Sequence, residues 1–138
     1  MKNRKYSLGV SSPLSAEVEE TARKVVDAAF KVHSELGPGL LESVYEECLC
    51  LILNQTGLNV QRQFEVPIIF AGQKLKTKLK VDLVVNQTII VELKAVEKVL
   101  PVHQAQLMTY MKLTNARLGF LINFNVPRIK EGIKRVVL

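Results

Sequence analysis

The apolar residues at positions 15–36 recur every three or four residues, which predicts an amphipathic helix. Ser15 is a suitable N-cap, because its hydroxyl can accept a hydrogen bond from a free amide of the first turn. Gly37 and the proline after it end this helix. Gly39 then permits a tight turn into a second helix over about 40–56. Two consecutive helices therefore open the fold.

After Gly57 the apolar period changes to two, which is typical of strands. The remaining predicted elements are strands 60–70, 73–85 and 89–94, a helix 101–115, a strand 117–124, a turn or short helical piece 127–132, and a strand 133–137. The order α-α-β-β-β-α-β-β predicts an α/β (α+β) fold with a central mixed sheet flanked by helices. We expect a flexible tail over residues 1–14 and one domain over 15–138.

Composition narrows the class of protein. A chain of 138 residues with 48% hydrophobic content can build one compact domain with its own core. The net charge of +6 favours polyanionic partners, nucleic acid first, although it also serves solubility. Cys48 and Cys50 point to different helix faces, so we expect reduced thiols and a cytoplasmic location. Neither a signal peptide nor a membrane-spanning run is present, so no membrane partner is expected.

Charged residues interrupt two of the predicted strands. Asp82 lies inside an apolar run of the second strand, and Glu92 and Lys94 lie inside the third. Strand interiors normally exclude such residues, because a buried charge is costly unless it is paired or bound to metal. Three of them in neighbouring strands predict a functional site built on the sheet.

The hydrophobic pattern also predicts how these strands pair. If the odd-numbered apolar residues of both strands face one core, the connection spans 86–88 and Asp82 lies opposite Glu92, with Lys94 one step along. The predicted pairs are Val85 with Ile89, Leu83 with Val91, and Val81 with Leu93. Two opposed carboxylates repel each other, and a divalent cation between them removes that repulsion. The alternative is a structural ion pair in which Lys94 alone compensates the acids.

If the site binds a divalent metal ion, each of these residues has a chemical role. Mg²⁺, or Mn²⁺ in its place, prefers oxygen ligands, which Asp82, Glu92 and the backbone carbonyl of Leu93 can supply. The metal would polarise a phosphate and activate a bound water. Lys94 would hold that water and stabilise the negative charge that develops.

The helices add further candidates. Glu42 and Tyr45 share a face of the second helix; Glu42 is either a third acid at the metal or an ordinary first-turn acid. Tyr45 can equally be a core aromatic with its hydroxyl at the rim. In the third helix, His103, Gln106 and Tyr110 can share one face that approaches a phosphate or base, although an ordinary surface role is open, above all for His103.

A basic stripe runs along the second strand. Its members alternate with apolar or neutral residues and share the parity of Asp82. They are Lys74, Lys76, Lys78 and Lys80. The stripe either binds nucleic-acid phosphates or protects a solvated hairpin edge.

These residues resemble the PD-(D/E)XK nuclease superfamily, whose core has a helix with a Glu, a strand with an Asp, a strand with (D/E)-x-Lys, and a further helix. The match runs through Glu42, Asp82, Glu92 and Lys94. The motif Gly39-x-x-Glu42-x-x-Tyr45 is similar to the one that names the GxxExxY family of small predicted nucleases. The residue before Asp82 is Val81, so the Pro of the PD motif is absent. Gln106-x-x-x-Tyr110 is similar to a motif of the exonuclease branch that helps position substrate.

The resemblance implies a restriction-endonuclease-like core and a Mg²⁺-dependent nuclease that hydrolyses phosphodiester bonds, in DNA rather than RNA. Glu42, Asp82, Glu92 and Lys94 would be the catalytic set, and Glu42 would join the metal ligands. Two other functions stay open: a non-catalytic nucleic-acid-binding or adaptor module, and a small structural domain whose acids pair with lysines. A homodimer that acts on both strands of a duplex is compatible with the sequence.

Overall fold

The computed structural model describes residues 13–138, so most of the expected tail lies outside the described residues. Leu14, at the end of that expected tail, packs against the core. The elements are α1 Ala16–Leu36, α2 Glu42–Gln55, β1 Val60–Phe70, β2 Gln73–Val85, β3 Ile89–Lys94, α3 Pro101–Thr114, β4 Leu118–Asn123, a 3₁₀ helix Ile129–Gly132, and β5 Ile133–Val137. The predicted element order is confirmed.

Local signals explain the helix ends. The Ser15 hydroxyl accepts a hydrogen bond from the Val18 amide at 3.1 Å, as an N-cap does. Gly37 closes α1 with a φ of 68°, a left-handed value that glycine adopts without a steric penalty. The second helix begins at Glu42, two residues later than predicted, because the chain around Gly39 is still a turn.

The five strands form one mixed sheet in the order β1-β2-β3-β4-β5. Neighbouring strands are antiparallel except β3 and β4, which are parallel and are joined by α3. The β2–β3 turn spans three residues, and its register pairs Leu83 with Val91 and Val85 with Ile89, as predicted. Parallel pairing aligns the carboxyl ends of β3 and β4, where Lys94 lies opposite Asn123.

Each face of the sheet carries a separate apolar core. The first core contains Leu83, Val85 and Val91 together with residues of α1 and α2. The second contains Val84 and Ile90 together with residues of α3. Because successive strand residues point to opposite faces, the two cores lie on opposite sides of the sheet.

The expectation that all odd-numbered apolar residues of β2 face one core is wrong. Val81 and Leu79 belong to the second core, whereas Leu83 belongs to the first. The alternation breaks at Asp82 and its neighbour Gln63 on β1, which has a φ of 49° and is skipped in the β1–β2 ladder. The predicted pair of Val81 with Leu93 is also not formed, because β2 and β3 stop pairing at Leu83 and Val91.

Beyond this break, β1 and β2 continue as a two-stranded ribbon. Residues 73–81 of β2 pair with β1 and not with β3. A register shift between Pro67 and Ile69 places a bulge in this ribbon, and Ala71 and Gly72 form its turn. We call residues 66–80 the arm. Within residues 13–138, no helix has the length and apolar character needed to cross a membrane.

Candidate active site

Asp82 and Glu92 hold β2 and β3 together by side chains where the backbone ladder ends. The Asp82 amide donates to Glu92 Oε2 at 2.9 Å, and the Leu93 amide donates to Asp82 Oδ2 at 2.8 Å. Each carboxylate thus accepts a hydrogen bond from the opposite strand. Asp82 and Glu92 lie close together, as predicted. They are joined by hydrogen bonds from their side chains to the opposite backbone, because the β2–β3 ladder does not extend to them.

The two acids resist ionisation. Glu92 is 5% exposed, and its pKa is raised to about 8, first by burial and then by the neighbouring charge of Asp82. Burial also raises the pKa of Asp82, and the hydrogen bond from the Leu93 amide opposes that rise. A cation placed at these acids would relieve both the burial cost and the mutual repulsion.

Lys94 lies close enough for its charge to lower the pKa of Glu42, Asp82 and Glu92. It nevertheless forms no ion pair within 4.0 Å with any carboxylate of the described residues. Lys94 therefore compensates the acids by its charge at a distance and not by a direct ion pair. Buried acids without a direct counter-charge are costly, which is typical of functional sites.

Glu42 approaches the same acids from the start of α2. The charge of Asp82 raises its pKa, after burial as the larger cause. Across residues 13–138, however, no group of three or more His, Cys, Asp or Glu side chains is arranged to hold a metal ion. Glu42 is thus a neighbour of the two-acid site in this structure and not part of a closed three-acid cage.

Tyr45 holds the loop that leads to Glu42. Its side chain is fully buried, and its hydroxyl donates to the Gly37 carbonyl at 2.6 Å and accepts from the Leu40 amide at 3.1 Å. Its ring stacks on Phe124 with centroids 4.5 Å apart. Tyr45 is therefore a core aromatic whose hydroxyl serves the loop, so it acts on the site through the position of Glu42.

Replacing Tyr45 with Phe is expected to lower the free energy of unfolding by about 1–3 kcal/mol, because the Gly37 and Leu40 backbone groups lose their partner. Urea unfolding measures this loss. The matched control is Tyr110→Phe, which removes a hydroxyl bonded only to a side chain and should cost less. Equal stability of Tyr45→Phe and the wild type would mean that other contacts hold the loop.

A second network behind the acids was missed by the sequence analysis. Glu46, one turn after Glu42, is buried, pairs with Arg62 at 3.2 Å and accepts a hydrogen bond from the Gln63 amide group at 2.8 Å. The same Gln63 nitrogen lies 3.4 Å from Asp82 Oδ1. Only the i, i+4 spacing of Glu42 and Glu46 could have indicated this network from the sequence.

The third helix brings two of its three predicted residues toward the site. Gln106 donates to the Tyr110 hydroxyl at 2.9 Å, and the charges of Glu92 and Asp82 raise the pKa of Tyr110, after burial as the larger cause. His103 has a different role: its Nδ1 accepts a hydrogen bond from the Leu100 amide at 3.0 Å and caps α3. This contact agrees with an ordinary structural role for His103 and not with a role at the substrate.

The four lysines of the predicted basic stripe are all exposed on the arm. The bulge of the arm falls within the stripe, and Lys78 pairs with Glu65 at 3.4 Å. Cys48 and Cys50 are both free thiols, as expected.

Known proteins resemble this chain in sequence and in fold. A family model of the PD-(D/E)XK nuclease superfamily matches residues 19–136. The crystal structure of SSO0001 is similar, with 26% sequence identity and a TM-score of 0.56, covering 88% of this chain. The chain spans only 58% of that protein. No curated protein matches the chain.

Proposed function

Because the chain belongs to the PD-(D/E)XK nuclease superfamily, we propose that it is a Mg²⁺-dependent nuclease that hydrolyses phosphodiester bonds in DNA. The observation that carries the proposal is the reciprocally hydrogen-bonded pair of Asp82 and Glu92. Glu92 is buried and Asp82 is half-buried, and neither forms a direct ion pair with Lys94, so two carboxylates lie close together without the contact that would neutralise them.

The donor set fits a magnesium ion. Mg²⁺ is usually bound by one or two carboxylates with waters and substrate phosphate, so Asp82 and Glu92 suffice without a third acid. Glu92 Oε1 accepts no hydrogen bond from the described residues and is available as a ligand. The Leu93 carbonyl would be a further ligand, and Glu42 would act through a water. When bound, Mg²⁺, or Mn²⁺, supplies charge stabilisation at the phosphate and lowers the pKa of a water.

The surrounding residues complete the proposed machinery. Lys94 orients the attacking water and stabilises the negative charge that develops on the phosphate. Gln106 and Tyr110, joined by their hydrogen bond, position the substrate next to the acids. Tyr45 keeps Glu42 in place. Lys74, Lys76, Lys78 and Lys80 contact phosphates along the arm.

The shape of the arm supports DNA over RNA. The major groove of B-DNA admits a two-stranded ribbon, whereas the deep, narrow major groove of A-form RNA does not. The net charge of +6 and the small size of the chain are also compatible with one competing function, a nucleic-acid-binding module without catalysis. That module would bind nucleic acid equally well after loss of the acids.

The test is cleavage of linear, supercoiled, single-stranded and branched DNA and of RNA with Mg²⁺ or Mn²⁺. Wild type is compared with Asp82→Asn and Lys94→Ala, and with Glu20→Gln as an exposed acidic control. Metal-dependent cleavage that is lost in the two site variants and kept in the control supports the proposal. A folded wild type that binds DNA and cleaves nothing would instead support the binding module.

A further inference from the structure

The tip of the arm exposes large apolar side chains to solvent. Ile69 and Phe70 are 70% and 71% exposed, directly before the turn at Ala71. Two adjacent apolar residues at the end of a two-stranded ribbon leave most of their surface in water, which favours aggregation. Such an exposed pair therefore indicates a contact with another molecule.

The charges of the arm indicate what that molecule is. Residues 66–80 contain four lysines and no acidic residue. The nearest acid is Glu65 at the base of the arm, which already pairs with Lys78. An apolar tip on a purely cationic ribbon is complementary to a polyanion that also offers apolar surface, and stacked nucleic-acid bases offer that surface.

We propose that the arm lies along duplex DNA and that Ile69 and Phe70 wedge between base pairs, while the lysines bind the flanking phosphates. This inference rests on the proposed function, because it names the substrate form that the site receives. Apolar wedges unstack base steps at a cost that is offset by the contacts of the distorted duplex. Phe70 provides an aromatic face on which an unstacked base can pack.

A second copy of this chain fits the tip less well. Arms that met tip to tip would bring two sets of four lysines together with no acid between them, and such like charges repel. A DNA duplex instead neutralises the same lysines and releases its condensed counterions.

The length of β2 limits the distance between the proposed wedge and the acids of the site. Phe70 pairs with Gln73, and β2 runs from Gln73 to Asp82 without leaving the strand. At about 3.3 Å per residue, nine steps span at most about 30 Å, or roughly nine base pairs of duplex. The proposal therefore predicts distorted base pairs within roughly nine positions of the scissile phosphate.

The experiment uses a 30-base-pair duplex that carries 2-aminopurine, whose fluorescence rises when it is unstacked. Binding is measured in EDTA at several salt concentrations. The tip variant is Ile69→Ser with Phe70→Ser. The control, Leu51→Ser with Leu113→Ser, also removes two exposed apolar residues, but from helices outside the arm. A charge variant combines Lys74→Gln with Lys76→Gln.

Wild type and control are expected to raise the 2-aminopurine signal. The tip variant should lose the signal and bind about tenfold more weakly, with an unchanged salt slope. The charge variant should lower the slope of log K against log salt by about 1.8. Absence of a signal with wild type, or a tip variant that matches wild type, would overturn the wedge.

Sedimentation shows whether the tip contacts a second copy of this chain instead of DNA. A wild-type dimer that the tip variant converts to monomer, with DNA binding unchanged, would show that the tip contacts a second copy and would overturn the proposal. The nuclease function is judged separately by cleavage in Mg²⁺. If wild type unstacks DNA but cleaves nothing, the proposed nuclease function is refuted and the proposed wedge is not. If the protein cleaves DNA, and the tip variant cleaves it equally well without unstacking it, only the proposed wedge is refuted.

Discussion

Replacing Glu92 with Gln is expected to abolish cleavage and, without metal, to make the protein more stable than wild type at alkaline pH. The Gln carbonyl can still accept the hydrogen bond from the Asp82 amide, and its volume is nearly the same. What the variant loses is the buried negative charge beside Asp82. Because Glu92 is a proposed metal ligand, its loss together with that charge should reduce cleavage by about 10³-fold or more.

The pH dependence follows from the raised pKa of Glu92, about 8 against an ordinary value of 4.5. Below pH 4.5 the group is protonated in both folded and unfolded chains and contributes nothing to the pH dependence. Between pH 4.5 and 8 the folded chain holds a proton that the unfolded chain has released. Stability therefore falls as pH rises through this window, by up to about 1.4 kcal/mol per pH unit, and the penalty is constant above pH 8.

The Gln variant escapes this penalty, so its advantage should be on the order of 4 kcal/mol at pH 9 and vanish near pH 4. Urea unfolding in EDTA at pH 4, 7 and 9 measures it. Glu20→Gln, an exposed acid paired with Arg23, is the control and should change stability by less than about 0.5 kcal/mol. Mg²⁺ should raise the melting temperature of wild type and not that of Glu92→Gln.

A Glu92→Gln variant that is less stable than wild type at pH 9 would contradict this account. Such a result would mean that the Glu92 carboxylate stabilises the fold through Lys94, as a structural ion pair does. The separation of Lys94 from every described carboxylate argues against that outcome. The experiment thus tests whether these acids serve the fold or a ligand.

Much of the fold was predictable because its signals are local. Ser15 and Gly37 mark the ends of α1 by backbone chemistry that depends on the residue type alone. The register of β2 with β3 followed from matching apolar residues across a short connection, because a slip by one residue would expose a core face. That register was enough to bring Asp82 and Glu92 together.

The break in β2 was not predictable, because the sheet buries apolar residues on both faces. Val81 and Leu83 are equally apolar, so their sequence pattern does not tell which core each one joins. The break lies at Gln63 of β1, which has a left-handed backbone and whose side chain contacts the distant residues Glu46 and Asp82. Interactions between distant segments of this kind leave little trace in local periodicity.

The role of Tyr45 was not predictable either, because it also depends on contacts between distant segments. A motif comparison places it beside Glu42 and leaves open whether it contacts substrate or core. The structure assigns its hydroxyl to the Gly37 carbonyl and its ring to Phe124, which follows β4 far along the chain. The spacing from Glu42 singled out Tyr45 as a candidate, but its role depends on tertiary packing that the spacing does not reveal.

Gly132→Ala is expected to be the most damaging single methyl addition, because the new Cβ would lie 2.1 Å from the Asn123 carbonyl oxygen. That oxygen belongs to backbone at the end of β4, opposite Lys94, so it cannot move without shifting the site. The Asn123 side chain also bonds both backbone groups of Val96, in the segment that follows β3. The change should lower the free energy of unfolding by about 3 kcal/mol and weaken cleavage in the protein that still folds.

Gly119→Ala is the matched control, because it adds the same methyl group within β4, whereas Gly132 ends the 3₁₀ helix that packs against the end of β4. Its Cβ would meet Met111 Sδ at 2.6 Å and Leu107 Cδ1 at 3.1 Å, but both atoms are near the ends of side chains, which shift more readily than backbone even in a core. A loss of about 1 kcal/mol is therefore expected, with cleavage by the folded protein unchanged. Thermal and urea unfolding of both variants, with cleavage measured well below their melting temperatures, distinguish the two costs. Equal losses of stability would mean that the Asn123 backbone yields as readily as a methionine side chain, and that the end of β4 does not hold Lys94 in position.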